Sequence, residues 1–269
     1  MAKTYWWGNW AFNKVDETLS ILDVIKWGEF DSKLSGLLWL LMEQRPSLIV
    51  AAGPSWAGKS TLFHSLLDFL PPDISQVTLR GFEEDFRALE YRKPENTYLI
   101  TEEISNHSYE YLWGYQVARA FQLVAKGFAL GGTIHARNIK EVAHILNAMG
   151  VPAPQIAKLG VIITLQVARG RNLDSEPIRY VDMVSTFTTT EDGLVAQILA
   201  MRHLPEEKFS YPEEAALQDT LSRKFGVKYD SITKEIERRG EHISQLYKEK
   251  ATREEVRKVI NRIYQSRIT

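Results

Sequence analysis

The sequence predicts an α/β fold, a mostly parallel sheet flanked by helices, followed by a C-terminal helical segment. Three observations lead there. Short apolar runs alternate with stretches of helical periodicity through the middle of the chain. The first of these runs passes through a glycine-bearing loop straight into a helical pattern. Beyond residue 200 the apolar positions recur at helical spacing. The expected divisions are an aromatic lead-in and linker helix over 1–45, a core over 46–200, and the helical segment over 201–269.

The lead-in is rich in aromatics, with Tyr5, Trp6, Trp7, Trp10 and Phe12, which read as packing on the main domain or as contacts for a partner subunit. Residues 21–45 carry apolar positions at helical spacing, with Leu37, Leu38, Leu41 and Met42 marking a buried face. Residues 47–52 form a run with no polar alternation, the pattern of a strand buried on both sides. A helix over 61–70 follows and stops at Pro71-Pro72. Residues 77–79 and 97–101 read as the next strands, the second running into Glu102-Glu103. A helix over 109–125, a strand over 128–134 and a helix over 139–149, closed by Gly150, come next. The run 161–167 is strand-like, and 180–187 and 194–199 read as late strands on an antiparallel edge. The charges of the tail are mixed in sign, as on a solvated helical surface.

Composition narrows the function. The chain has 269 residues, 44% hydrophobic and 25% charged, which is globular rather than disordered. With 33 Lys+Arg against 34 Asp+Glu, nothing global argues for nucleic acid or an anionic membrane as a partner. The chain has no cysteine, which excludes disulfides, thiolate zinc sites and cysteine nucleophiles. The apolar stretch 36–42 is far shorter than the roughly 20 residues that span a bilayer. The expectation is a cytoplasmic protein without membrane insertion, touching a membrane only through partners.

Three motifs carry chemistry. Gly53-Pro54-Ser55-Trp56-Ala57-Gly58-Lys59-Ser60 is a phosphate-binding loop between a strand and a helix. Its glycines let successive N–H groups turn toward phosphate oxygens, and the following helix adds its positive end. Lys59 reaches the β- and γ-phosphates, Ser60 is the expected Mg2+ ligand, and Thr61 can touch the α-phosphate. The second motif is the strand that ends in Glu102-Glu103, where a carboxylate can hold magnesium through water or orient the attacking water. The spacing leaves open which glutamate does which. The third is Gly131-Gly132-Thr133-Ile134-His135, which puts an imidazole at the carboxyl edge of the sheet, where ligands of open α/β folds bind. His64, His107, His144, His203 and His242 lack such a context and read as structural.

These motifs in this order resemble the type II/type IV secretion-system and type IV pilus ATPase family, in its archaeal-type branch. Residues 53–60 match its Walker A motif, Leu99 to Ile104 its Walker B segment with Glu103 in the place of the glutamate, and 132–136 its His box. Residues 146–151 and 236–259 resemble the segments that follow. The resemblance implies a RecA-like P-loop NTPase fold and an ATP- and Mg2+-dependent motor. It implies catalytic roles for Glu103, His135 and Glu83, with Glu83 or Glu84 in the acidic box, and Glu102 as a water-mediated magnesium ligand. It further implies a ring homo-oligomer, commonly a hexamer, working on membrane platform or pilin-assembly proteins. An accessory subunit that hydrolyses weakly is the alternative. The chain departs from the family in lacking its large N-terminal domain, in Ser105-Asn106 after Walker B, and in the bulky Trp56. Arginines acting in trans would come from Arg80, Arg87, Arg92, Arg119 or Arg137.

Overall fold

A computed structural model describes residues 19–168, 177–191, 193–204 and 208–266. The aromatics of the lead-in, Tyr5 to Phe12, lie outside the described residues. One eight-stranded sheet runs through the molecule in the order β2-β3-β4-β1-β5-β6-β7-β8. Its first five members are parallel: β2 (Ser75–Thr78), β3 (Thr97–Ile104), β4 (Ala129–His135), β1 (Ser47–Ala52) and β5 (Leu159–Ala168). The expected antiparallel edge is three strands wide, β6 (Ile178–Thr190), β7 (Gly193–His203) and β8 (Lys208–Ser210). The expected boundary at residue 200 therefore falls inside β7.

Helices cover both faces. On one side lie α1 (Ile21–Lys26), α2 (Ser32–Glu43), α3 (Lys59–Leu66) and the C-terminal trio α7 (Glu214–Phe225), α8 (Ile232–Lys248) and α9 (Arg253–Gln265). On the other lie α4 (Tyr115–Ala125), α5 (Ile139–Ala148) and the short α6 (Ala153–Ile156). β1 shows why its sequence is a pure apolar run: Leu48, Val50 and Ala52 enter one core, Ile49 and Ala51 the other. Helix α4 starts at Tyr115, six residues later than the periodicity suggested. Phe82 N–H bonds to Tyr109 O, Leu112 pairs with Ile104, and Gly114 takes φ 57° just before the helix. α3 stops at Leu66 and tightens into a 3-10 turn over 67–69.

The C-terminal helices belong to the same core as α2. Every residue of α2 from Leu34 to Met42 is buried, as a helix sandwiched between sheet and helices requires. Trp39 stacks on Phe69, with ring centroids 5.6 Å apart, and its indole N–H donates to Tyr264 Oη at 3.0 Å. Tyr264 in turn donates to Phe69 O at 2.7 Å, which pins α9 to the 3-10 turn after α3. The buried Arg239 of α8 pairs with Glu43 at 2.5 Å and with Glu235. α2 and α8 cross at glycines on both helices: a side chain on Gly36 would strike Ile236 O, and one on Gly240 would meet Ser32 O at 2.7 Å. Among the described residues no helix is long and apolar enough to cross a membrane.

That crossing yields a prediction. Gly36→Ala should destabilise the fold by about 1–3 kcal/mol or more, because the backbones must separate around the added methyl. A urea-denaturation midpoint equal to that of the wild type would show that the crossing is looser than described.

Candidate functional site at the carboxyl edge of the sheet

β1, β4 and β3 are consecutive neighbours and run parallel, so their carboxyl ends lie side by side. β1 opens into the 53–58 loop, β4 ends at His135, and β3 carries Glu102 and Glu103 near its end. Three segments far apart in sequence thus meet at one edge.

The loop feeds α3 through Gly58, whose φ of 89° is the left-handed conformation that glycine adopts without strain. Trp56 also has a positive φ, 63°, at a cost of about 1–3 kcal/mol. Its side chain is 75% exposed, so solvent accommodates the bulk, and its carbonyl accepts from Arg179 Nε of β6 at 2.8 Å. Pro54 and Ser55 are exposed, Gly53 is half-buried, and Ala57 is buried. Leu62 is the residue whose N–H bonds back to Gly58 O, so the N–H groups of Lys59, Ser60 and Thr61 open from the helix start without intrahelical partners.

Lys59 is the buried cation of the site. Its side chain lies against the sheet edge, and its Nζ donates to His135 Nε2 at 3.3 Å. Burial pulls its pKa below the ordinary lysine value, and the nearby Glu103 carboxylate opposes that shift. His135 Nδ1 donates to Gly53 O at 3.2 Å, which fixes the ring proton on Nδ1 and turns the Nε2 lone pair toward Lys59. Glu103 Oε2 stands 3.4 Å from the same Nε2. Glu103 Oε1 is buried and has no hydrogen-bond partner among the described residues.

The two glutamates separate clearly. The register of β3 against β4 slips between Ile100 and Glu103, a bulge that re-aims the side chains after it. Glu103 stands beside His135 and acts on Lys59 only through its charge, while Glu102 shares a hydrogen bond with His64 Nε2 of α3 at 3.1 Å. Ser60 and Thr61 are half-buried in the first turn of α3. Glu83 is exposed on a 3-10 turn, and the structure does not bring it to Lys59, His135 or Glu103 by any hydrogen bond or ion pair among the described residues. Its neighbour Glu84 is the buried acid of that loop, accepting from Arg80 N at 2.8 Å and Phe86 N at 2.6 Å.

The candidate arginines are engaged within the chain. Arg80 and Arg87 pair with Asp85, Arg92 donates to Ser75, and Arg119 stacks on Phe86 and Tyr115. Arg137 pairs with Glu141, and its aliphatic stem lies over Gly53.

Sequence reasoning passed over three residues here. His64 and His107, read as structural, stand beside the two glutamates, with His107 Nδ1 3.9 Å from Glu103 Oε1. Glu29, in the loop after α1, is buried behind Gly58: a side chain there would meet Glu29 Oε1 at 3.2 Å. Nothing local in the sequence marks it.

No protein-family model matches the chain. Among curated proteins it is similar to uncharacterized protein MJ1287 of Methanocaldococcus jannaschii, 24% identical over 269 residues, covering 88% of this chain and 95% of that one. It is also similar to uncharacterized protein MJ0900 of the same organism, 24% identical over 211 residues, covering 68% of this chain and 36% of that one. Among solved structures it aligns with the VirB11 ATPase of the Brucella suis type IV secretion system in complex with sulphate, at TM-score 0.42 and 17% identity, covering 66% of this chain and 60% of that one. It aligns with the Legionella pneumophila ATPase DotB at TM-score 0.41 and 13% identity, covering 57% of this chain and 48% of that one.

Glu29 generates a prediction. Burial pushes its carboxyl from 4.5 up to about 7, against the pull of Arg179. The folded state therefore keeps a proton that the unfolded chain releases. The associated stability is complete below the unfolded value and is lost as pH rises through the folded one, by up to about 3 kcal/mol. Glu29→Gln should remove this slope and stabilise the protein at about pH 8 relative to wild type. Chemical denaturation across that window checks it, and parallel pH profiles for the two proteins would contradict it.

Proposed function

We propose that this chain binds ATP at the 53–61 segment and hydrolyses it where Lys59, Glu103 and His135 converge. The observation that carries the reading is the Lys59 ammonium, buried at the start of α3, bonded to His135 Nε2 and lying in the field of Glu103. A triphosphate at the loop would draw Lys59 toward its β- and γ-oxygens and satisfy the N–H groups at the helix start. Two acceptors 3.4 Å apart, His135 Nε2 and Glu103 Oε2, would then face each other without a donor. One water can donate to both, and in this scheme it is the water that attacks the γ-phosphorus. As its oxygen bonds to phosphorus and the bond to the β-phosphate oxygen breaks, Glu103 accepts the proton and ADP leaves.

The residues present fit magnesium as well. Ser60 stands on the first turn of α3, and the buried Oε1 of Glu103, without a hydrogen-bond partner among the described residues, suits a water-mediated contact. Glu102 suits it less, because His64 engages its carboxylate. When bound, magnesium neutralises charge on the phosphate oxygens. Glu83 has no role in this scheme.

The sequence motifs support placing this ATPase among motors of secretion and type IV pilus assembly. That reading includes a ring of copies, a hexamer by resemblance, and contact with membrane platform or pilin-assembly proteins at a cytoplasmic face. One observation favours the accessory alternative for the isolated chain: among the described residues none of the five candidate arginines bonds to Lys59, Glu103 or His135. Charge on the transferring phosphoryl group then awaits an arginine from another subunit, worth about 10³–10⁵ in rate.

Two substitutions test the proposal. Lys59→Ala should weaken nucleotide binding by about 100-fold or more, since it removes charge-assisted bonds to two phosphates. Glu103→Gln should bind ATP nearly as well as wild type and lose turnover by about 100-fold or more, the contribution of a positioned base. Calorimetric titration and phosphate release read the two effects. Unchanged turnover in Glu103→Gln would remove that residue from the chemistry.

A further inference from the structure

The geometry points to a second use of this sheet edge: Glu103, His107 and His135 form a binding site for a zinc-class divalent ion. One donor atom from each of the three lies within 4.8 Å of the others. Four-coordinate zinc with bonds of about 2.0–2.1 Å places neighbouring donor atoms about 3.3 Å apart. Glu103 Oε2 and His135 Nε2, 3.4 Å apart, already have that spacing. On the other oxygen of the same carboxylate, Oε1 stands 3.9 Å from Nδ1 of the exposed His107, so Glu103 turns one oxygen to each imidazole.

Two independent features point to a ligand. The His135 tautomer is set by the Nδ1 donation to Gly53 O, the outer-sphere bond that orients an imidazole for metal at its other nitrogen. Glu103 Oε1 is buried, has no hydrogen-bond partner among the described residues and faces the His107 ring. Two imidazole nitrogens and one carboxylate select zinc, cobalt, nickel or copper over magnesium, which takes oxygen ligands. The site is thus distinct in chemistry from the magnesium that accompanies a nucleotide.

Lys59 donates to the same Nε2 lone pair. A dication there must displace it, so Lys59 and the metal compete. An ion at this point also occupies Glu103 and His135 together, leaving no acceptor for the water of hydrolysis. That inhibitory consequence rests on the ATPase reading; the binding does not.

The experiment uses the full chain without nucleotide. Co2+ is titrated in, and the visible absorption of a tetrahedral site is followed. One equivalent should bind with that signature. His107→Ala should weaken binding by at least about 100-fold, more than the loss of an outer-sphere partner. Lys59→Met should tighten it. Absence of stoichiometric binding, or equal affinity in His107→Ala, would overturn the site. As a second readout, Zn2+ should slow ATP turnover of the wild type while sparing His107→Ala, each rate being taken relative to the same protein's metal-free rate. Equal inhibition of both would overturn the regulatory part. A chain with no turnover would count against the ATPase reading and that regulatory part, while the Co2+ signature still decides the metal site.

Discussion

The contact between Lys59 and His135 organises the functional edge of this molecule. A lysine cannot keep its charge in a buried position without partners. Here one partner is the imidazole lone pair at 3.3 Å and the other is the field of Glu103. Each depends on a different strand. β4 must lie between β1 and β3 for its last residue to reach the start of α3. The Gly53 carbonyl must accept from Nδ1 for Nε2 to present its lone pair. The bulge in β3 must turn Glu103 toward the pair rather than toward the opposite core. If an anion attracts the ammonium, His135 Nε2 loses its donor and Glu103 its neighbouring positive charge, while the Nδ1 bond to Gly53 O can stay.

The scaffold behind it is rigid for identifiable reasons. α3 is gripped at its far end by α9, where Arg253 pairs with Asp68 at 2.6 Å and donates to His64 O. His64 in turn engages Glu102, so the C-terminal helix, α3 and β3 are linked through one chain of polar contacts. Behind the loop, Val181 N and Arg202 Nη1 both donate to Glu29 O and fasten the α1–α2 connection to the antiparallel edge. The antiparallel strands thus buttress the 53–58 loop while standing outside the parallel core.

Much of this was legible in the sequence. The apolar run before Gly53 and the alternation of strands and helices carry the architecture, because burial on both faces leaves a continuous hydrophobic signature. His135 was legible as the tip of a strand. The division of labour between Glu102 and Glu103 was not, because it depends on a bulge, and a one-residue shift in register leaves no mark in composition. Glu83 and Glu84 show the same limit: the buried acid and the exposed one are adjacent, and the turn alone decides between them. Glu29 and His107 reach the edge from loops, whose paths periodicity does not describe. The late start of α4 follows from Gly114 and from the pairing of Leu112 with Ile104, contacts made outside the helix.

The most direct test of the central claim follows the imidazole nitrogens of His135 by NMR in histidine-labelled protein as a non-hydrolysable ATP analogue is added with magnesium. The account predicts a saturable shift at His135 Nε2 as Lys59 leaves it for the phosphates, with Nδ1 still bonded to Gly53 O. Nucleotide binding that leaves the Nε2 signal unchanged would contradict it, because the lysine, the histidine and the glutamate would then not form one site.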